Sequence, residues 1–253
     1  MANLEFIKRH LRKVLSIRLR VQLGLALRHR ARGYAFLEGV GLEIGALHNP
    51  ARLNRTWTIE YADAISKQEA MLIFPEISSK DLVDVQHIID LDKTGLADIR
   101  TAKYDFVIMN HVIEHVANPI HVIAELFRVV KKEGYIAISA PDKTYTFDRA
   151  RELTTFAHLH DEYINKVDFV SDEHYQDFVE KCIANADKFN SLEMKAQIQK
   201  AKSRREHAHV WDSHSFEQFM RQSFEVLGIS AQAVYCSLAH ENRAEIFLVY
   251  RKM

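Results

Sequence analysis

The chain reads as an α/β protein built on a doubly wound, seven-stranded, mostly parallel sheet, and three observations predict this. Five short runs, GVGLEIG, TWTIEYA, VQHIID, YDFVIMN and GYIAISAP, recur between residues 38 and 141. Each is apolar almost throughout, as strands buried on both faces of a parallel sheet must be. Helical stretches alternate with them, which implies right-handed crossovers. Two further apolar runs, VLGISAQAVYCSL and AEIFLVYRK, close the chain. Their short connection, AHENR, predicts an antiparallel hairpin at the sheet edge.

The elements follow in order. Residues 1–33 carry nine Lys/Arg against the single acid Glu5, with Leu4, Ile7, Leu11, Leu15, Val21 and Leu25 at roughly helical spacing. This predicts a basic amphipathic helical extension over 1–37, packing on the body, a dimer partner or a partner protein, touching a membrane surface or an anionic substrate, or serving as a mitochondrial presequence. The clearest helix lies between the fourth and fifth strands. Asn118 is a good N-cap and Pro119 suits the first helical position. Ile120, Ile123, Phe127 and Val130 mark one face, and Lys131, Lys132 and Gly134 close the end. Residues 142–206 are polar and helical in pattern with no strand signal. An insertion just beyond the fifth strand is placed to cap a substrate pocket, since ligands sit at the carboxyl ends of such strands. WDSHSFEQFMRQSF then predicts a helix, within one domain over 38–253.

Composition narrows the function. Hydrophobic residues make up 47% and charged residues 27%, which suits a soluble protein with a sizeable core. Net charge is zero, so the whole molecule offers no argument for nucleic acid. The two cysteines, Cys182 and Cys236, have no partner motif and suit a reducing, cytoplasmic setting. No apolar run approaches a membrane span, so a membrane contact would be peripheral, at the inner face.

Acidic residues collect where the first three strands end. Glu43 and Gly45 in LEIG let the backbone turn tightly against a ligand, although Ala46, Leu47 and His48 replace any glycine-rich phosphate loop. Asp63 ends the second strand, where a ribose diol would be gripped. Asp90 ends the third, in IIDLD. The fourth ends in NHVIEHV, which clusters His111, Glu114 and His115. A neutral imidazole there suits proton removal near neutral pH.

With these residues in view, the chain resembles the class I S-adenosylmethionine-dependent methyltransferases, in the broad group with LEIG at strand one and HVIEHVxNP after strand four. The resemblance runs from about 38 to 141 and resumes near 205, and it is most specific over YDFVIMNHVIEHVANPIHVIAELFRVVKKEGYIAISAPDK. PDKTYTFDRARELTT is similar to members from bacterial surface-polysaccharide clusters. The resemblance implies a Rossmann-like fold and S-adenosylmethionine as cofactor. It implies that Gly45 approaches the methionine part and that Glu43 accepts from it or from its water. Asp63 would bind the ribose, Asp90 and Leu91 border the adenine, and Asn110 and His111 face the methionine moiety.

His111 or His115 is then the expected base, with Glu114 orienting the ring. HAHVW adds His207 and His209, and His209 is the expected further catalytic residue. The small-RNA 2′-O-methyltransferases look similar here, with a Glu-His pair and a later histidine on a divalent ion. His111 stands where they have a carboxylate, so a metal is not the favoured expectation. Asp142, Lys143, Tyr145, Asp148, Arg149 and Arg151 form a polar set suited to carbohydrate or phosphate, with Tyr145 or Phe147 free to stack on a sugar. His158 and His160 carry no assignment. The expected reaction is methyl transfer to an oxygen of a small-molecule or glycan acceptor, a sugar hydroxyl or terminal phosphate in surface-polysaccharide synthesis. The rivals are an RNA 3′-end enzyme and a non-catalytic module that binds a cofactor or partner.

Overall fold

The computed structural model describes residues 28–52, 57–75 and 77–253, so most of the basic extension, residues 1–27, lies outside the described residues. The described chain opens with helix α1 (Arg28–Tyr34), followed by β1 (Val40–Ile44), β2 (Thr58–Asp63), α2 (Lys67–Ile73), β3 (His87–Ile88) and β4 (Tyr104–Asn110). Helix α3 (Pro119–Val129) leads into β5 (Val130–Pro141). Then come α4 (Phe156–Ile164), α5 (Asp172–Cys182), α6 (Ser191–Arg204), α7 (Ser213–Leu227), β6 (Ala231–Ser237), the short α8 (Ala239–Asn242) and β7 (Glu245–Lys252).

The strands form one seven-stranded sheet in the order β3-β2-β1-β4-β5-β7-β6. All neighbours are parallel except β7, which runs antiparallel to both β5 and β6. Alternate residues of β4 sort to opposite faces, as the two-residue strand period requires. Val107 and Met109 join a core with Ile120, Ile123, Phe216 and Phe219, under α3 and α7. Phe106 and Ile108 join the other core with Tyr34, Leu37 and Phe247. Each such fully buried side chain contributes roughly 1.5–3 kcal/mol. Burial on both faces is why this strand reads as a continuous apolar run.

Three expectations need correction. VQHIID pairs only through His87 and Ile88. It is an edge strand, Ile88 is 58% exposed, and its brevity blunts the open edge. Helix α3 has the expected N-cap, with Asn118 Oδ1 accepting from the His121 N–H at 3.0 Å. It ends at Val129, however, and Lys131 to Gly134 belong to an irregular start of β5, where the pairing with β4 skips from Val130 to Tyr135. The run from Val226 is strand only from Ala231, because α7 continues to Leu227 and is stopped by Gly228 in the left-handed region, φ 63°. AHENR joins the antiparallel pair β6–β7 at the sheet edge, as expected, but most of the connection is the short helix α8 rather than an irregular turn.

Residues 142–206 hold α4, α5 and α6 and a small core of their own, made by Tyr175, Phe178, Val179 and Ile198 with Ala208. Arg151, 2% exposed, ties this layer down. It pairs with Asp148 and Asp177 and donates to the carbonyls of His207 and Ala208. Among the described residues no helix is long and apolar enough to cross a membrane.

Candidate active site

Strand order reverses between β1 and β4, and a cleft of about 350 Å³ opens at their carboxyl ends, where such sheets bind ligands. Ile44 and Gly45 after β1, Asp63 at the end of β2, Leu91 beyond β3, and His111, Val112 and His115 after β4 line it. Arg204, Arg205 and Glu206, at the end of α6, close the far side.

Gly45 is in the left-handed region, φ 72°, and a Cβ there would come within 2.3 Å of Val112 Cγ2. The position therefore requires glycine, both for its backbone and for the floor of the cleft. Asp63 accepts from the Ala64 N–H at 2.7 Å, and burial raises the pKa of its carboxyl. Glu43 stands elsewhere than beside the cleft. It is buried under β1, and both its oxygens accept from the Ala51 N–H, at 2.9 and 3.1 Å. Burial pushes its carboxyl up to about 7. Asp90 caps the turn that follows it, accepting from the N–H groups of Asp92 and Lys93, while its neighbour Leu91 faces the cleft. The Asn110 amide is spent on a network: it donates to Tyr34 Oη at 2.9 Å and accepts from Ser139 Oγ at 3.0 Å.

His111 follows β4 with φ 54°, a conformation unfavourable for a residue with a Cβ and of the kind that gathers at functional sites. It sets the ring between two carboxylates. Nε2 is 2.6 Å from Glu245 Oε2, and Nδ1 is 3.5 Å from Glu114 Oε1. Burial disfavours the imidazolium, but the Glu114 and Glu245 carboxylates beside the ring outweigh it and raise the pKa to about 9. His111 is thus a cation at neutral pH, with both nitrogens engaged. The expectation that it removes a proton as a neutral base fails on that ground.

His115 is in the opposite condition. Its Nδ1 lies 2.5 Å from the Arg205 carbonyl, which can only accept, so Nδ1 carries the hydrogen and Nε2 a lone pair. Burial lowers its pKa and the neighbouring His207 adds to this, against the pull of Glu114. Glu114 is fully buried, and neither of its oxygens has a hydrogen-bond partner among the described residues. His111, His115 and His207 stand 3.5, 3.8 and 3.9 Å from its Oε1. Burial opposes its charge, but these imidazoles hold its pKa low. Glu114, His115 and His207 also offer ligand atoms within 4.8 Å of one another.

Several supporting residues carry no sequence signal of their own. Glu245, 1% exposed at the start of β7, takes His111, Arg30 and His29 together, with Arg30 Nε at 2.6 Å. An acid opening an apolar strand is the one hint that could have found it. His209 is buried and does not line the cleft. Its Nε2 donates to the Val116 carbonyl at 3.0 Å, and it packs among His158, His174 and Glu162. Of the polar set after β5, Asp148 and Arg151 are buried and serve the fold, as does Asp142, which accepts from the Ser213 N–H and Oγ–H. Burial alone makes them unavailable to a ligand. Lys143 and Tyr145 are half-buried, and Arg149 and Phe147 are exposed; the Phe147 ring, 53% exposed, lies 4.7 Å from that of His207, which in turn lies 4.8 Å from His115.

A family model described as a methyltransferase domain matches residues 20–223. No curated protein matches the sequence. Among solved structures, a SAM-dependent methyltransferase from Thermotoga maritima is 16% identical, with a TM-score of 0.44 over 94% of this chain and 96% of that one. A structure from Rhodobacter sphaeroides described as a Zn-dependent alcohol dehydrogenase is 11% identical, with a TM-score of 0.52 over 87% of this chain and 88% of that one, a likeness of fold alone. The chain spans about half the length of two further structures: 48% of the CurJ carbon methyltransferase, which is 12% identical with a TM-score of 0.42, and 51% of the trans-methyltransferase CalH. The match over most of the chain, which takes in the glycine-floored cleft at the switch point of this sheet, places the chain in the methyltransferase-domain family.

Proposed function

We propose that the chain methylates an oxygen of a small-molecule or glycan acceptor, a hydroxyl in the first instance, with His115 as the base. The bound cofactor supplies an electrophilic methyl group on a sulfonium. Of the cleft-lining residues, Gly45 would give its methionine part room, Asp63 would hold the ribose hydroxyls, and Leu91 would border the adenine. His115 Nε2 would take the proton of the acceptor hydroxyl as its oxygen bonds to the methyl carbon and the methyl–sulfur bond breaks, leaving S-adenosylhomocysteine. Glu114 stabilises the resulting imidazolium from 3.8 Å, and the His111 cation keeps Glu114 ionised before the reaction. One observation carries this reading: His115, on the cleft wall, has Nδ1 committed to a carbonyl and Nε2 bare. Phe147, exposed beside His207, supports a sugar acceptor because an aromatic face suits a pyranose ring. Surface-polysaccharide synthesis is the setting we favour.

The test has two parts. Titration calorimetry with S-adenosylhomocysteine should show saturable binding that Asp63→Ala weakens at least tenfold, the loss of about 1.4 kcal/mol of charge-assisted hydrogen bonding. His115→Gln should bind the cofactor product as wild type does, yet lose roughly 10²–10⁴ in transfer to a hydroxyl acceptor. Equal rates in His115→Gln and wild type would sink the assignment of the base. An RNA-end acceptor, the alternative, would appear as salt-dependent filter binding to short RNA.

A further inference from the structure

Behind the cleft, three imidazoles and a carboxylate converge from three separate segments. His158 and Glu162 are one turn apart on α4 and so share a face. The N-cap Thr155, which accepts from the His158 N–H, sets that first turn. His174 lies in the first turn of α5, and His209 comes from the segment that returns to α7. One ligand-type atom from each of the four lies within 4.8 Å of all the others.

We propose that His158, Glu162, His174 and His209 bind one zinc ion, which pins the two helices of the cap to the returning segment. The spacings fit. Zinc bonds of about 2.0–2.1 Å in a tetrahedron put ligand atoms about 3.3 Å apart. Here His158 Nε2 is 3.0 Å from His174 Nε2 and 3.1 Å from Glu162 Oε1. His174 Nε2 is 3.5 Å from that same oxygen, and His209 offers a ring nitrogen within 4.8 Å of the other three ligand atoms.

The unsatisfied atoms point the same way. A hydrogen-bonded cluster could place protons between His158, His174 and Glu162 Oε1. It would still strand Glu162 Oε2 and His209 Nδ1, both buried without a hydrogen-bond partner among the described residues. Such orphans cost about 1–3 kcal/mol each. A cation removes the conflict at all four residues. The outer contacts are those of metal-bound histidines, whose second nitrogen is held by an oxygen. His174 Nδ1 lies 3.1 Å from Ser171 Oγ, and His209 Nε2 donates to the Val116 carbonyl, which leaves Nδ1 with the free lone pair. Three nitrogens and one carboxylate oxygen suit zinc rather than magnesium or calcium, and four protein ligands make a closed, structural site. The backbone N–H of His209 donates to the Glu114 carbonyl at 3.0 Å, so the ion would steady the loop that carries His115.

The experiment uses the full chain, stripped with a chelator, shown to be folded by circular dichroism, loaded with zinc and desalted. Elemental analysis should find about one zinc per chain, and thermal melting should rise on loading, because the ion binds the folded state. His160→Ala, a neighbour outside the cluster, should retain both results. Glu162→Gln and the paired His158→Ala/His174→Ala should lose the zinc. His158→Ala alone removes a half-exposed side chain, guards against misfolding, and should abolish the tetrahedral absorption spectrum that cobalt(II), loaded in place of zinc, gives the wild type. A folded wild type that retains no zinc would overturn the proposal. So would zinc that survives the paired substitution and is lost in His115→Ala, which would put the ion at Glu114 instead.

Discussion

Two residues show how backbone geometry sets the chemistry of the cleft. Gly45 and His111 both sit in the left-handed region, one at the end of β1 and one at the end of β4. For Gly45 the conformation is free, and the missing Cβ keeps Val112 on the cleft wall. Gly45→Ala should add about 1–2 kcal/mol of backbone strain and push Val112 into the space a ligand would fill. The expected result is S-adenosylhomocysteine binding weakened by roughly tenfold or more in a protein that still folds. Calorimetry beside a thermal melt would show it, and unchanged affinity would count against the placement of the cofactor. His111 accepts the strain for a different return, since only this turn of the backbone brings both ring nitrogens onto carboxylates. That explains why the two histidines of one heptapeptide differ so sharply in charge.

Helix α1 and strand β7 meet through one buried carboxylate. Glu245 accepts from Arg30 Nε and pairs with its Nη2, and it also meets His29 and His111. Helix α1, the described end of the basic N-terminal region, therefore supports the cleft through His29 and Arg30. Glu245→Gln would leave the Arg30 cation buried and half-paired, and removal of one partner of a buried pair costs about 3–5 kcal/mol. Urea unfolding should show a loss of that size together with weaker transfer activity. A loss below about 1 kcal/mol would mean that water replaces the pair. Most of the elements themselves could be read from the sequence. The α3 cap and the apolar β4 were legible because each obeys a local rule of capping or patterning. β3 was misjudged because VQHIID is apolar enough for a buried strand, and only its position at the sheet edge limits its pairing to two residues.

Across the whole molecule, the Glu245–His111 pair sets a pH window for stability. The His111 pKa is raised to about 9 from its ordinary value of 6.5, with burial opposing and Glu114 and Glu245 raising it. Its contribution is therefore full below 6.5 and is lost as pH climbs through about 9. Burial works against the Glu245 charge, but Arg30, His111 and His29 hold its pKa well below 4.5. Its contribution is present above that value and lost on acidification. Melting temperature should thus hold between the two limits and fall toward pH 9 and above. His111→Gln should flatten the alkaline decline, and a decline unchanged by that substitution would assign it to other groups.

From the sequence alone, the doubly wound sheet, the methyltransferase resemblance and the cleft-lining Gly45, Asp63, Leu91, His111 and His115 could be recognised. Strand period, helix caps and residues at strand ends are local features, and local features survive in a linear reading. What the tertiary structure alone decided is which side chains share a volume. It put His209 with His158 and His174, 35 or more positions away in the chain, rather than with His115. It gave the Glu43 carboxylate to the Ala51 N–H and buried Asp148 and Arg151. It also made His111 a cation through Glu245, 134 positions downstream. Charge state and ligand geometry depend on distances of a few ångströms between remote segments, and only the packing of cap, sheet and returning chain sets those distances.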